Sequence, residues 1–172
     1  MRSVLDRTYE LSGYLAGVFM IGTLLAILAS IFGRLLAIEV PGSDAYAGYS
    51  MAAGAFLALA PTLRRGEHIR VTLLLSHLGA RANRGVEIAC HTAALLLSGA
   101  LAWFSIRLVW QSHLFHDVSQ SMDATPLWIP QIAMALGTVL LFVAFADDLL
   151  AHLRGSDPGL RHREVGATAR LE

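Results

Sequence analysis

Lysine is absent from this 172-residue sequence, whose 13 basic residues are all arginine, and its only cysteine is Cys90. A single cysteine excludes an internal disulfide and a thiolate-rich metal cluster. Charged residues are scarce, at 15% against 55% hydrophobic residues, and the mean hydropathy of +0.57 lies on the membrane side of the globular range. The formal net charge is zero, so the composition indicates no polyanionic partner such as nucleic acid.

Charge is missing altogether from four long segments. No Asp, Glu, Lys or Arg occurs in residues 11–33, 45–63, 88–106 and 124–146. Each run has 19 or 23 residues, and at about 1.5 Å per residue such a helix crosses a hydrocarbon core about 30 Å thick. The first run is longer than the roughly 7–15 apolar residues of a signal peptide, so we expect a retained helix. The sequence therefore predicts an all-α membrane protein with four transmembrane helices in residues 1–154 and a disordered cytoplasmic tail over 155–172.

The arginines are unevenly divided between the two sides of the predicted membrane domain. Eleven lie before the first run, between the second and third runs, or after the fourth, and two lie in the other connections. Because basic residues are retained in the cytoplasm, this predicts that both termini and the middle connection are cytoplasmic. Aromatic residues at the opposite ends of the runs fit an interfacial belt on the other side; they are Tyr46, Tyr49, Trp110 and Trp128.

Small residues recur four positions apart in the runs. Examples are Gly13 with Gly17, Gly48 with Ala52, Ala94 with Ser98 and Ala102, and Ala133 with Gly137. In lipid, such spacing lets helix backbones approach each other closely. Because alanine is so common here, we interpret the pattern as ordinary bundle packing and not as a dimerisation motif.

The connection between the second and third runs begins with RRGEHIRV over residues 64–71. Pro61 and Gly66 are suited to end the second helix, Gly66 because it adopts positive φ without steric cost. Ile69 and Leu73 then recur at helical spacing among polar residues. The pattern predicts an amphipathic helix at about residues 67–80 that lies in the membrane interface between the second and third spans, near anionic headgroups.

The RRGEHIRV segment and the SMDATPLWIP segment at residues 121–130 resemble the small membrane subunit of tripartite ATP-independent periplasmic (TRAP) transporters. The resemblance covers roughly residues 5–154 and includes the predicted spans and topology. It implies a non-catalytic scaffold subunit in the bacterial inner membrane, within a sodium-coupled system for organic acid uptake. The implied partners are the large TRAP permease subunit, the periplasmic substrate-binding protein and membrane lipid, with no cofactor.

We predict a partner or membrane interface made of residues from these two segments and the third span. They are Arg64, Arg65, Gly66, Glu67, His68, Arg70, Arg107, Pro126 and Trp128. Arg107 either snorkels outward from the third span or forms an ion pair with the large subunit or the binding protein. Asp147 and Asp148 follow the fourth run directly, and we expect them to be exposed charges at the end of a helix.

The sequence offers little support for other functional classes. No hydrolase triad, phosphate-binding loop or nucleotide motif is present, so we expect no enzymatic activity. A small four-helix carrier would need an intramembrane carboxylate or a broken helix. A membrane cytochrome subunit would need two histidines on facing helices, and only His91 lies within a run. His113, His116 and Asp117 are spaced for a shared metal ion, but no further ligand completes a site, which favours a solvated loop.

Overall fold

The computed structural model describes residues 2–38, 41–65, 80–121 and 124–153. Within these ranges lie four helices, α1 (Arg2–Leu35), α2 (Ser43–Arg64), α3 (Ala80–Leu114) and α4 (Trp128–Leu153). The prediction of an all-α protein is confirmed. The predicted interfacial helix lies outside the described residues except for Ala80, where α3 begins, and so does the predicted tail.

Three of the four helices are long and apolar enough to cross a membrane, through Leu5–Leu35 of α1, Ile88–Leu114 of α3 and Trp128–Ala151 of α4. The second helix, α2, is not among them, so the prediction of four spans is wrong at this helix. The first half of α2 consists mainly of Ala, Gly, Ser and Tyr, which are less apolar than the Leu and Ile that dominate α1. Absence of charge is therefore a weaker criterion for a span than mean hydropathy.

The helix bounds also differ from the predicted runs. With 34 and 35 residues, α1 and α3 are each about 50 Å long. The last helix, α4, begins at Trp128 and continues to Leu153. Residues 124–127 precede it, since Ala124 has a φ of 46° and Pro126 pairs with Val118 in an isolated antiparallel β-bridge. Pro130 is tolerated in the first turn of α4 because the N–H groups there have no helical acceptor.

The helices pack side by side in the order α1, α2, α4, α3, and the extensive contacts among the described residues are between neighbours in this row. Tyr49 near the start of α2 contacts Ser119 just before α4, and Arg64 at the end of α2 contacts Asp147 near the end of α4. The two central helices are therefore parallel, and each is antiparallel to its outer neighbour. We call the two ends of the row the Tyr49 end and the Arg64 end.

Small side chains fill the contact between α1 and α2. On α1, the buried residues Tyr9, Ser12, Ala16 and Thr23 follow each other at spacings of three, four and seven. This is the pattern of a narrow helix face that packs along a partner. On α2, a Cβ atom added to Gly54 would lie 3.3 Å from the carbonyl oxygen of Ala16. Glycine thus allows the two backbones to approach closely.

The closest approach between α2 and α4 is at Gly137. A Cβ atom added there would overlap the backbone of Phe56. The small-residue pattern in the sequence identified Gly137 correctly. It was wrong for Gly17 and Gly48, which have nothing within 4 Å of an added Cβ atom, because spacing alone does not tell which side of a helix faces a neighbour.

Pro61 lies inside the last turn of α2 and does not end the helix, contrary to the prediction. Because proline has no N–H, the carbonyl of Leu57, four residues earlier, lacks its usual helical donor. The hydroxyl of Ser12 on α1 donates a hydrogen bond to this carbonyl oxygen, at 2.5 Å. A side chain of one helix thus replaces the backbone donor missing from the next, and the two helices are linked.

Replacing Ser12 with alanine should leave the Leu57 carbonyl without a donor and lower the free energy of unfolding by about 1 kcal/mol. In a Pro61→Ala background, residue 61 supplies its own N–H to that carbonyl, so the same substitution should have much less effect. A double-mutant cycle measured by reversible unfolding in mixed micelles gives the difference. Equal effects of Ser12→Ala in both backgrounds would contradict the assignment.

Replacing Gly137 with alanine should force α2 and α4 apart and destabilise the fold by about 1–3 kcal/mol. Gly17→Ala is the matched control, because its new Cβ atom meets nothing within 4 Å. Thermal unfolding of the purified proteins in detergent measures both effects. If the two variants unfold at the same temperature, the close approach at Gly137 does not limit stability.

Candidate functional site

Arg64 is the last residue of α2 and contacts acidic residues of two other helices. Its Nη2 atom lies 2.9 Å from Oδ1 of Asp6 on α1 and 3.5 Å from Oδ2 of Asp147 on α4. Its guanidinium carbon lies 4.8 Å from the ring centroid of Tyr9, within the range of a cation–π contact. These four side chains and the neighbouring Asp148 form what we call the Arg64 cluster. It joins three helices at one end of the row.

The Arg64 cluster is partly sheltered from solvent. The side chains of Arg64 and Asp147 are 22% and 27% exposed, whereas that of Asp6 is 59% exposed. An exposed pair contributes about 0–1 kcal/mol at most, so the pair with Asp147 is the more important one despite its longer distance. The expectation that Asp147 and Asp148 are exposed charges at a helix end is wrong. Because α4 continues past both residues to Leu153, Asp148 is only 4% exposed.

The other residues predicted for this end have different positions. Arg65 is exposed, and its backbone N–H donates to the carbonyl oxygen of Pro61 at 3.0 Å, which closes the last turn of α2. Gly66, Glu67, His68 and Arg70 lie outside the described residues. Among the predicted residues at the Arg64 end, Arg64 therefore forms ion pairs with other helices of the chain. The side chain of Arg65 is exposed.

At the Tyr49 end, two tyrosine hydroxyls tie the connection between α3 and α4 to α2. Tyr49 donates a hydrogen bond to Oγ of Ser119 at 2.6 Å, and the hydroxyl of Tyr46 lies 3.3 Å from Oγ1 of Thr125. The N–H of Ser119 also donates to the carbonyl oxygen of Thr125 at 2.8 Å, which closes the loop on itself. The two tyrosines expected in an aromatic belt thus hold a loop in place.

Pro126 and Trp128 both lie at the Tyr49 end. Pro126 is part of the β-bridge with Val118. The ring of Trp128, the first residue of α4, packs edge-on against His113, with 5.3 Å between ring centroids. Within the part of the chain that the structure describes, which includes His113 and its neighbours, no group of three His, Cys, Asp or Glu residues is placed to hold a metal ion.

Arg107 belongs neither to the Arg64 cluster nor to the contacts at the Tyr49 end. It is exposed on α3, between the Arg64 end and the Tyr49 end. The predicted site residues therefore do not form one surface patch. The sequence analysis did not indicate Asp6, and it treated Asp147 as an exposed charge and not as a partner of Arg64. A usable signal was present, since both acidic residues adjoin runs whose ends were predicted on the same side as Arg64.

Residues 23–155 match the family model of the DctQ component of tripartite ATP-independent periplasmic transporters. The match covers most of the chain and includes α2, α3 and α4 completely. The chain belongs to the DctQ family. The resemblance to the small TRAP subunit is thus confirmed, and this DctQ protein is the small permease component of a TRAP transporter. A comparison with curated proteins finds no significant match.

Replacing Arg64 with glutamine should remove both ion pairs and leave Asp6 and Asp147 without this cation. We expect a loss of about 1–2 kcal/mol in the free energy of unfolding, below the cost for a fully buried pair because the cluster is partly exposed. Lysine at the same position should rescue only part of the loss, since an ammonium does not reproduce the planar fork that contacts two carboxylates. Unfolding in detergent is the measurement.

The neighbouring substitution Arg65→Gln is the matched control, because it removes the same charge from an exposed side chain. It should change stability by less than about 0.5 kcal/mol. A loss for Arg64→Gln no larger than that for Arg65→Gln would show that the Arg64 cluster does not hold the helix ends together.

Proposed function

We propose that this DctQ protein is a non-catalytic scaffold subunit of a sodium-coupled, binding-protein-dependent TRAP transporter for organic acid uptake. The observation that carries the proposal is the family match over residues 23–155. Its partners in this proposal are the large permease subunit, the periplasmic substrate-binding protein and membrane lipid. The substrate is recognised by those partner proteins and not by this chain.

The use of hydroxyl groups within the helices supports a scaffold. Thr23, Ser98 and Thr138 each donate to a carbonyl oxygen of their own helix, and Ser12 donates to α2. A coupled carrier instead needs polar groups that bind ion and substrate with different affinity in two states. Hydroxyls engaged in backbone hydrogen bonds favour a structural role.

The outward surfaces of the two outer helices support association with other membrane components. Large apolar side chains are exposed along both α1 and α3; they include Leu11, Val18, Leu25, Phe32, Leu97, Phe104 and Leu114. On a water-soluble protein, an apolar surface of this extent would mark an interaction site. In a bilayer it suits lipid on one side and a large membrane subunit on another.

The proposed location is the bacterial inner membrane, with both termini in the cytoplasm. Asp6, Arg64 and Asp147 come from the beginning of α1 and the ends of α2 and α4, and they meet at one end of the row. The eleven arginines assigned to the cytoplasmic side lie, in the sequence, before the first predicted span, between the second and third, or after the fourth. In this orientation the segment from Arg65 to Arg70, the interfacial helix at 67–80 and the tail at 155–172 are cytoplasmic. Pro126 and Trp128 then face the periplasmic binding protein.

The two alternative functions find less support. His91 and His113 both lie on α3, 22 residues apart, which is about 33 Å along the helix. These two histidines are too far apart to ligate the same haem. A small sodium-coupled carrier would need carboxylate or carbonyl oxygens to bind the ion. The charged residue within the apolar segment of α3 is instead Arg107, a cation.

Reconstitution into liposomes tests the scaffold function. The purified chain alone should show no sodium-dependent uptake of the organic acid that copurifies with the binding protein. Uptake should appear when the large permease subunit and the loaded binding protein are added. The physical reason is that the helices of this chain supply packing surfaces and not an ion-coupled site.

Liposomes with the large subunit and the loaded binding protein, but without this chain, are the control, and they should transport little or nothing. Sodium-dependent uptake by the chain alone, above protein-free liposomes, would replace the scaffold with the small-carrier alternative. Full uptake in the control without this chain would remove the need for a scaffold.

A further inference from the structure

Arg107 is a charged residue on the apolar surface of α3. It lies inside Ile88–Leu114, which is long and apolar enough to cross a membrane. Its neighbours Trp103, Phe104 and Trp110 are 67%, 62% and 69% exposed. Among the residues that the structure describes, the ion pairs link Arg64 to Asp6 and Asp147. No described Asp or Glu side chain forms an ion pair with Arg107. The described part of the chain therefore supplies no counter-charge to Arg107.

The side chain of Arg107 points away from the other helices. The side of α3 that faces α4 carries the buried residues Ser98, Ala102, Ser105 and Ser112. Arg107 follows Ser105 by two residues, which is about 200° around the helix. Because α3 is the last of the described helices in the row, Arg107 lies on the outer edge of this row.

The depth of Arg107 suits a contact with lipid headgroups. The packing of His113 against Trp128 marks the Tyr49 end of α3. Arg107 precedes His113 by six residues, or about 9 Å along the helix axis. At this depth a long arginine side chain extends its charge toward the headgroups while its methylene groups remain in apolar surroundings. Trp103 and Trp110, four residues before and three after, lie on the same side of the helix.

We propose that Arg107, together with Trp103 and Trp110, binds the phosphate group of an anionic phospholipid in the leaflet at the Tyr49 end. A guanidinium presents paired N–H donors that match two phosphate oxygens. The indole N–H groups are further donors at the membrane interface, and the acyl chains lie along the exposed apolar side of α3. This lipid site does not depend on the transport function of the complex.

Two physical arguments favour a phosphate over a carboxylate of a neighbouring membrane protein. A lipid phosphate already lies at the level that the extended arginine reaches, and it stays in contact with water. A protein carboxylate beside Arg107 would have to be desolvated inside the membrane, at a cost that its attraction to arginine only partly offsets.

Tryptophan fluorescence in phosphatidylcholine liposomes tests the proposal on the full chain. The protein has three tryptophans, so Trp128→Phe leaves only Trp103 and Trp110 to report on lipid beside Arg107. Brominated phosphatidylglycerol should quench their emission at a lower mole fraction than brominated phosphatidylcholine. Arg107→Gln should reduce this preference about fivefold, and Arg107→Lys should retain part of it because the charge remains.

Arg34→Gln is the matched control, since Arg34 is an exposed arginine at the Tyr49 end of α1. It should leave the preference unchanged. Inorganic phosphate in the buffer should not displace the lipid, because it has no acyl chains, and this separates a lipid site from a site for free phosphate. Native mass spectrometry of the chain with all its tryptophans should show fewer retained phosphatidylglycerol molecules for Arg107→Gln.

An equal lipid preference in the parent protein and in Arg107→Gln, with both proteins unfolding at the same temperature, would overturn the proposal. Displacement of the lipid by inorganic phosphate would also overturn it. If Arg107→Gln instead loses a copurifying membrane protein at unchanged lipid preference, Arg107 pairs with a carboxylate of that protein.

Discussion

The close approach of α2 to the helices on both sides is the constraint on which the other contacts depend. Gly54 allows α1 to lie against one side of α2, and Gly137 of α4 lies against the backbone of Phe56 on another. At these separations Arg64 contacts Asp6 and Asp147 together. The helix without an apolar segment long enough to cross a membrane is thus the one held between two others, where Leu57 and Tyr49 find hydrogen-bond partners on neighbouring protein segments.

The distribution of charge along the chain predicted which helix ends meet. Eleven arginines on one side of the predicted spans imply that the N-terminus, the end of α2 and the end of α4 share that side, and the Arg64 cluster joins these ends. The role of the individual acidic residues could not be predicted. Whether Asp148 is exposed depends on how far α4 continues and on which of its sides packs, and an uncharged run gives neither.

Backbone chemistry would have improved the prediction at two positions. Pro130 is best tolerated in the first turn of a helix, so a start of α4 close to Trp128 was within reach of the sequence. The position of Pro61 predicts an unpaired carbonyl at Leu57 whether or not the helix ends there. That Ser12, 45 residues away in the chain, supplies the donor depends on the alignment of α1 against α2, which no local pattern contains.

The row arrangement has an evolutionary consequence for α1 and α3. Among the described residues, each of these helices has its extensive helix contact on one side, so its buried positions form a narrow stripe and most of its circumference is exposed. The fold by itself allows interchange among apolar residues over that circumference. Selection that retains one particular side chain there, such as Arg107 or Trp103, would therefore act through a neighbouring molecule. The retained positions along each outer helix would then show where lipids or partner proteins contact it.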